Sequence, residues 1–504
     1  MKIKKIILSF LVLSFMVSSC EKDFLETAPT DALSAGVMFD SYAGAQLALN
    51  GMYAKMFYYG TQGGRLGHHG AGYFGNVLDI DLMGEDMARW DRGYGWYTAT
   101  YGWISHRTPD GGVNGGRWSF FYELINNANI ILFYADEIDD ATAGEIANVK
   151  AQALVMRALS YHWVVQKHAK PYHTGRDNPG VPIYTEPTQE GHPRASVGEV
   201  YDRITQDLED AITYFNATAD PMAQRHISHS TLAVAYGLQA RVALTMHDFG
   251  TAISAADNAI TYAPGSLFTP GDFASNPDQL FNNASASEWM WGFVINEEQT
   301  PYYASFISHM DARYMSYASL GGQVMLNHEL YDAMTPTDVR RGLWVAPEEA
   351  VEGDDYLMAY NNKKFLATDV SAPMASDLHI MRLAEMYLIK AEAAARSGDD
   401  GTAQLALNEL VSNRDPAFDG TTNAGDALIE EIMFHRRIEL WGEGFRYFDL
   451  KRTDTPLRRT AAQGHAMGLA NIHNVDPGDP RWEWYIPQDE IDANDNISGG
   501  DQNP

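Results

Sequence analysis

The sequence predicts a mostly α-helical fold: tetratricopeptide-like helical pairs form a discontinuous scaffold, with long loops and a minor share of β-strand. Three observations carry this expectation. Apolar residues recur at helical spacing along much of the chain. Two separated segments repeat a small-residue pattern of the kind that lets antiparallel helices approach closely. Glycine, proline, asparagine and aromatic residues gather in the stretches between them.

The first twenty residues stand apart. Met1–Lys5 is basic, Ile6–Val17 is apolar except for Ser9 and Ser14, and Val17-Ser18-Ser19-Cys20 follows. A basic start, a short apolar stretch and small residues make a secretion signal, too short and wrongly flanked for a membrane span. Cys20 is the single cysteine of 504 residues and stands where cleavage would expose it as a new N-terminus. That placement is similar to a bacterial lipoprotein signal, in which the thiol is lipidated; several acyl chains together hold a protein on a membrane. Glu21, Asp23 and Glu26 suit a solvated tether. The expected organisation is a signal peptide over 1–19, a lipidated tether over 20–40 and one domain over 41–504. That domain has an N-terminal helical part to about 263 and a C-terminal part from about 264. After residue 20 no apolar run reaches the roughly 18 to 20 residues that span a bilayer.

Helical elements follow in order. Ser41–Phe57 opens on Ser41 as N-cap and puts Ala45, Leu49, Met52 and Met56 on one face. Trp118–Tyr134 and Glu145–His168 form a helical pair across the polar turn Asp136–Gly144. Val197–Phe215 follows Ser196, and Glu199 completes a capping box; its stripe is Val200, Ile204, Leu208, Ile212 and Phe215. Tyr236–Pro264 carries the first repeat, with Ala240, Ala243, Ala252, Ala256 and Ala259. The second places Ala391, Ala394, Ala403, Leu407 and Leu410 at matching offsets about a turn at Ser397–Gly401. Glu288–Ile295 reads as a short buried strand. Tyr58–Gly116, Pro171–Arg194, Pro264–Gln323 and Arg452–Trp484 read as long loops, the usual carriers of function.

Charge and composition narrow the chemistry. With 36 Lys+Arg against 66 Asp+Glu, the formal charge of −30 repels phosphate backbones and argues against nucleic acid as a partner. One cysteine leaves no disulfide framework, thiolate zinc site or paired-thiol centre. No serine sits in a Gly-x-Ser-x-Gly context, and no lysine is followed by Ser or Thr as a phosphate loop needs. Gly70-Ala71-Gly72-Tyr73-Phe74-Gly75 matches a dinucleotide fingerprint by letters only and reads as an aromatic loop, with no helix after it. His68-His69 and the pair His226 and His229 lack a positioned carboxylate and read as loop or surface histidines. Carboxylates are abundant, but no spacing singles out a glycosidase pair. No cofactor is implied. The turn at Asp476–Asp479 suits calcium by composition, without supporting ligand spacing.

The most informative loop holds Trp90, Tyr94, Trp96, Tyr97, Tyr101 and Trp103 amid Gly93, Gly95 and Gly102. Flat rings on loops suit a carbohydrate, because the C–H faces of a pyranose pack on an aromatic face while nearby polar groups fix its hydroxyls. Each ring has a structural alternative, that it fills space between loop and helices. Tyr302, Tyr303, Arg313 and Tyr314 in the Pro264–Gln323 loop are further ligand candidates. No residue is a catalytic candidate. The run Arg436–Arg452 is dense in opposite charges; at helical spacing Arg436, Glu439, Glu443 and Arg446 share one edge, as a structural lock between helices would.

Several motifs, in order, resemble the SusD/RagB family of outer-membrane lipoproteins. Cys20 with Glu21 and Asp23 is similar to the family's lipidated start, and Leu49-Asn50-Gly51-Met52-Tyr53 to its first-helix motif. Trp118, Tyr122, Ile125, Asn129, Ala151, Arg157, Ala158 and Tyr161 resemble its first helical pair. Val181-Pro182-Ile183, Val200-Tyr201, Ile204, Asp207-Leu208, Arg382–Glu392, the charged run and Ile486–Ile491 follow in the family's order. His435 departs from the usual Glu before two arginines, which puts one ion pair in question. The resemblance implies a SusD-like fold with a loop-built ligand face. It also implies a surface-exposed outer-membrane lipoprotein, without enzymatic activity, that captures oligosaccharide or another nutrient for a SusC-type TonB-dependent transporter. It implies no particular ligand residues, and the nutrient stays open among starch, host glycans, plant polysaccharide and peptides. The competing readings are a surface glycoside hydrolase on a helical scaffold, which needs two facing carboxylates, and a protein-binding repeat scaffold.

Overall fold

A computed structural model describes residues 38–57, 66–220, 226–300 and 302–504. The signal peptide, Cys20 and most of the tether lie outside the described residues, as does the start of the Tyr58–Gly116 loop. Among the described residues no helix is long and apolar enough to cross a membrane.

Helix α1 spans Tyr42–Lys55, and the Ser41 side chain accepts from the Gly44 amide at its start. Helices α3 (Gly112–Tyr134) and α4 (Ala143–His168) form the expected pair, and Thr142 with Glu145 closes a capping box on α4. Helix α5 (Val197–Asn216) starts on the Ser196–Glu199 capping box read from the sequence. Such caps satisfy amides that the first turn leaves without partners, each worth about 1 kcal/mol.

The two repeats are helical hairpins, α6 (Leu232–Met246) with α7 (Phe249–Tyr262) and α8 (Leu383–Arg396) with α9 (Asp400–Ser412). Their turns are built alike. A left-handed residue, His247 or Gly398, precedes an aspartate, Asp248 or Asp399. Each aspartate caps the second helix through the amide three residues on, at 3.1 Å in both. Each also donates its own amide to an alanine of the first helix, Ala243 or Ala394, at 2.9 Å. Neighbours pack in the order α3, α4, α5, α6, α7, α8, α9, so α7 packs directly on α8 although 120 residues intervene. The helical stack is interrupted in the chain and continuous in space. Helices α10 (Gly425–Glu439) and α11 (Arg446–Arg452) finish it.

Strands occur as short antiparallel pairs: β1 (Met87–Arg89) with β5 (Val324–Leu326), β2 (Pro179–Pro182) with β3 (Arg194–Ser196), β4 (Trp289–Phe293) with β6 (Leu378–Arg382), and β7 (Leu457–Arg458) with β8 (Asn474–Val475). Strand β4 is the buried segment expected around Trp289–Phe293.

Two expectations need correction. The Gly70–Gly75 segment runs into a helix, α2 (Gly72–Met83), whose residues are all buried. A helix covered on every side carries no amphipathic stripe, so periodicity could not reveal it. The run Arg436–Arg452 is not one helical edge: α10 ends at Glu439 and the chain turns through Gly442 and Gly444, both left-handed, before α11.

The run is nevertheless a buried lock, with partners drawn from distant segments. Glu439 meets Arg340 at 3.2 Å, Arg382 at 3.1 Å and Arg414 at 3.0 Å. Glu443 meets Lys364 and Arg382, both at 2.6 Å. Burial alone would raise the Glu439 carboxyl, but the guanidiniums of Arg414, Arg382 and Arg340 hold it well below the usual carboxylate range. His435 accepts from Arg340 Nη2 at 2.9 Å. Burial, then the Arg340 charge, pushes its pKa down to about 3, so a neutral imidazole serves there. Asp338 and Glu439 balance Arg340 instead. In the Asp476–Asp479 turn, Arg458 engages Asp476 at 2.5 Å and Arg481 engages Asp479 at 2.6 Å.

Candidate ligand-binding site

Strands β1 and β5 pair Arg89 with Val324, which sets the loop after β1 beside the one before β5. Arg89 then ties its own loop down: Nη1 donates to Trp96 O at 2.6 Å and Nη2 to Arg92 O at 3.4 Å. Gly93, at φ +52°, lies flat on Gly321 and Gly322; a Cβ there would fall 2.9 Å from the Gly322 nitrogen. The glycines that mark this loop in the sequence are thus what allows two backbones to touch.

Across that junction the rings form one surface. Trp96 stacks on His68, with centroids 5.0 Å apart. Tyr317 joins everything: it meets Tyr94 at 5.9 Å, Trp96 at 6.1 Å and Tyr303 at 5.6 Å. Tyr303 continues to Tyr302 at 5.0 Å, and Tyr302 to Tyr314 at 5.4 Å. Tyr94 is 72% exposed and Trp90 58%, while Trp96, Tyr302, Tyr303 and Tyr317 are half-buried. Ring-to-ring edge contacts of this kind hold each platform in place at about 0.5–1.5 kcal/mol apiece.

Behind the wall stands a layer of imidazoles. His309 stacks under Tyr317 at 5.1 Å and meets His68 O at 3.1 Å, and His68 Nδ1 hydrogen-bonds the Tyr317 hydroxyl. Tyr97 N–H donates to His69 Nε2 at 2.9 Å, which fixes that tautomer. Burial lowers all three histidines, His309 to about 3 and His69 to about 4. The backing layer is therefore uncharged at neutral pH.

Of the ten expected ligand residues, the structure brings Tyr94, Trp96, Tyr302 and Tyr303 into this wall, with Trp90 exposed on the same loop. The structure places the five others outside the wall. Tyr97, Tyr101 and Trp103 are 2%, 0% and 4% exposed. Tyr97 and Trp103 are left-handed residues flanking a one-turn helix, Thr98–Tyr101, and their rings point into the core. Tyr101 Oη bonds His465 Nδ1 at 2.6 Å, and Trp103 Nε1 donates to Met83 O at 3.0 Å. Tyr314 is buried at the end of the ring series. Arg313 is a clamp: it holds Asp311 at 2.9 Å and donates to Ala367 O at 2.5 Å.

Sequence reading missed Tyr317 and set His68 aside as a loop histidine. Tyr317 lies in the same Pro264–Gln323 loop as Tyr302 and Tyr303, and that shared loop was the available signal. Among the described residues, no group of three or more His, Cys, Asp or Glu is placed to hold a metal ion.

Comparison with known proteins is consistent along the chain. Residues 294–504 match the model of the SusD family, and residues 74–244 match a second model described as starch-binding and associating with the outer membrane. A SusD-like protein of Formosa agariphila is 23% identical over 96% of this chain and 99% of its own length. A solved SusD-like carbohydrate binding protein from Bacteroides vulgatus superposes with a TM-score of 0.76 at 24% identity, covering 92% of this chain and 98% of that one. Surface glycan-binding protein A from Bacteroides uniformis gives 0.68 at 19% identity, covering 91% and 98%. Those two likenesses carry the fold. With both family models matched in chain order around this helical stack, the chain belongs to the SusD/RagB family.

Proposed function

We propose that this protein is a cell-surface, outer-membrane lipoprotein, anchored through Cys20, that captures oligosaccharide on its ring wall without cleaving it. It passes the sugar to a SusC-type TonB-dependent transporter. Residues 1–19 are then the signal peptide and 20–40 the tether. The observation that carries the reading is the convergence of Tyr94 and Trp96 with Tyr302 and Tyr303 about Tyr317. Support also comes from the relatives described as carbohydrate-binding and glycan-binding, and from a family model described as associating with the outer membrane.

The physics suits delivery. Exposed aromatic faces give contact area with little ordering cost, and a neutral backing layer asks for no counter-charge on the ligand. A ligand held beside a pore is locally concentrated there, so modest affinity suffices and fast release is kept.

The deciding experiment is affinity electrophoresis of the form lacking residues 1–20 through gels containing neutral polysaccharides, with chromatography of the sugar afterwards. Retention that is lost on combined Trp96→Ala, Tyr303→Ala and Tyr317→Ala substitution, with the sugar intact, is expected. Retention unchanged by that triple substitution would remove the wall as the site, and shortened sugar chains would remove the non-catalytic reading.

A further inference from the structure

A cleft opens where the chain leaves α4. It has two chambers of about 340 and 370 Å³, bounded by Lys170, α11, the β2–β3 pair and residues 477–504. Lys170 and Glu483 line both chambers, so this pair is their common wall. Pro171, Pro477 and Trp482 give the first chamber apolar surface, and Pro179, Pro193 and Ile497 give it to the second. Each volume lies within the roughly 300–1,000 Å³ of small-ligand sites. No residue of the ring wall lines either chamber.

Most charges around the cleft are already held. Asp454 engages His173 at 2.8 Å, Asp479 engages Arg481 at 2.6 Å, and Asp501 accepts from the Ser498 amide and hydroxyl, both at 2.8 Å. Arg194 donates to Gly180 O at 2.8 Å and Asp501 O at 2.7 Å, and Lys451 to Gln166 O and Ala169 O, both at 2.6 Å. Glu483 differs. It is 7% exposed, and among the described residues its carboxylate has no hydrogen-bond or ion-pair partner. Lys170 is exposed, and its ammonium has none either. Two opposite charges thus line one cleft without closing on each other. Arg194 and Lys451 lie within electrostatic reach of Glu483 but do not bond it. A carboxylate so far buried is costly unless donors meet its lone pairs, and here they must come from what fills the cleft.

The charges select the occupant. An anion meets Glu483 and the formal charge of −30; a cation meets Lys170, Arg194 and Lys451. A neutral polyhydroxyl ligand meets neither obstacle. Each hydroxyl both donates and accepts, so a vicinal diol can donate to the two Glu483 oxygens while a further hydroxyl accepts from Lys170. A free amino acid also matches the pair of charges, but it fills one chamber and leaves the other empty. We propose that this cleft is a second sugar site, which takes two linked units of a neutral oligosaccharide, one per chamber, with Glu483 as acceptor and Lys170 as donor. The inference rests on the sugar-capturing reading given above, and it adds a site separate from the ring wall.

The test is calorimetric titration of the full-length protein in detergent with maltohexaose, cellohexaose, xylohexaose and laminarihexaose, and with glycine as the zwitterion. Wild type is compared with Lys170→Ala, with Glu483→Gln and with the wall variant Trp96→Ala, Tyr303→Ala, Tyr317→Ala. Two equivalents of at least one hexasaccharide are expected in wild type. The wall variant should keep one of them, and either cleft variant should weaken that one at least tenfold while the other stays as in wild type. Lys170 is exposed, so its truncation reads the cleft even where Glu483→Gln disturbs folding. A single equivalent that disappears in the wall variant overturns the second site and leaves the wall standing. A single equivalent that survives in the wall variant and is weakened by both cleft variants supports the cleft and removes the wall. Glycine bound by wild type and lost in Glu483→Gln overturns the sugar assignment, as does the absence of binding with all four hexasaccharides.

Discussion

The ring of Tyr94 meets the ring of Tyr317 edge-on, with centroids 5.9 Å apart and planes at 63°. One comes from the loop after β1 and the other from the loop before β5, and the β1–β5 pairing makes them neighbours. Tyr317 also touches Trp96, Tyr303, His68 and His309, so it fixes the geometry of platforms on both loops. Tyr317→Ala should therefore weaken glycan binding about tenfold, the equivalent of one aromatic contact of about 1.4 kcal/mol. Trp103→Ala should do the opposite. It empties a buried site against Trp482 and Tyr447 and should cost roughly 3–5 kcal/mol of stability with little effect on affinity at low temperature. Calorimetric titration beside urea unfolding checks both, and a Trp103→Ala protein that stays stable yet loses its ligand would return that residue to the site.

Much of the scaffold was legible in the sequence because its signals are local. Ser41, Ser196 and Glu199 act within one helical turn, and the repeat alanines recur at fixed offsets about Asp248 and Asp399. Helix α2 was not legible, since burial on all sides erases the stripe that periodicity detects. The site was legible as a region and not residue by residue. Trp96 and Trp103 stand in near-identical glycine-rich surroundings, and what separates them is a left-handed backbone at Trp103 that turns its ring inward. Tyr317 becomes prominent only once two loops distant in the chain are paired.

Glu439 accepts from Arg340, Arg382 and Arg414 in the interior. Removing one partner from a buried ionic group leaves charge without compensation, at a cost of about 3–5 kcal/mol. Glu439→Gln keeps the shape and removes the charge, so it should lower the unfolding free energy by that order. Since these arginines come from the Val339–Leu343 turn, the β6–α8 junction and the end of α9, limited proteolysis should open the segment between α7 and α8 first. A variant as stable as wild type in urea would show that the network sets geometry without contributing stability.

Four of the buried histidines, His106, His162, His309 and His435, have pKa values pushed down to about 3 chiefly by burial. Unfolded, each titrates near 6.5. Because the folded value is the lower one, the unfolded chain binds more protons below pH 6.5, and stability is lost as pH falls from there toward 3. Asp81 opposes this: burial raises its carboxyl to about 8, so acidification from 8 toward 3.8 favours the folded state. One carboxyl does not offset four imidazoles, each of which costs about 2 kcal/mol at pH 5. The unfolding free energy should accordingly fall between pH 7 and pH 5. His162→Gln, which keeps a polar group facing Thr245, should reduce that fall by about one histidine's share. Urea titrations at the two pH values decide it, and an acid loss identical in the variant would place the sensitivity elsewhere.

Gly93 offers the sharpest separation of binding from folding. Its φ of +52° is disfavoured for residues with a side chain, and a methyl group there would sit 2.9 Å from the Gly322 nitrogen and 3.0 Å from the Gly321 carbonyl carbon. Gly93→Ala must push the Tyr94–Trp96 segment away from Tyr317. The loop is exposed, and Arg89 still anchors it through Trp96 O, so the cost to global stability should stay near 1 kcal/mol. The ring contacts across the junction, at 5.9 and 6.1 Å, have no such reserve. Binding should therefore fall at least as far as in Tyr317→Ala, with the helical circular dichroism signal and the urea midpoint nearly unchanged. The double variant Gly93→Ala, Tyr317→Ala should be no weaker than the worse single variant, because both act on the same junction. Fully additive losses in that cycle would mean the two loops bind ligand independently, and the single continuous wall would have to be given up.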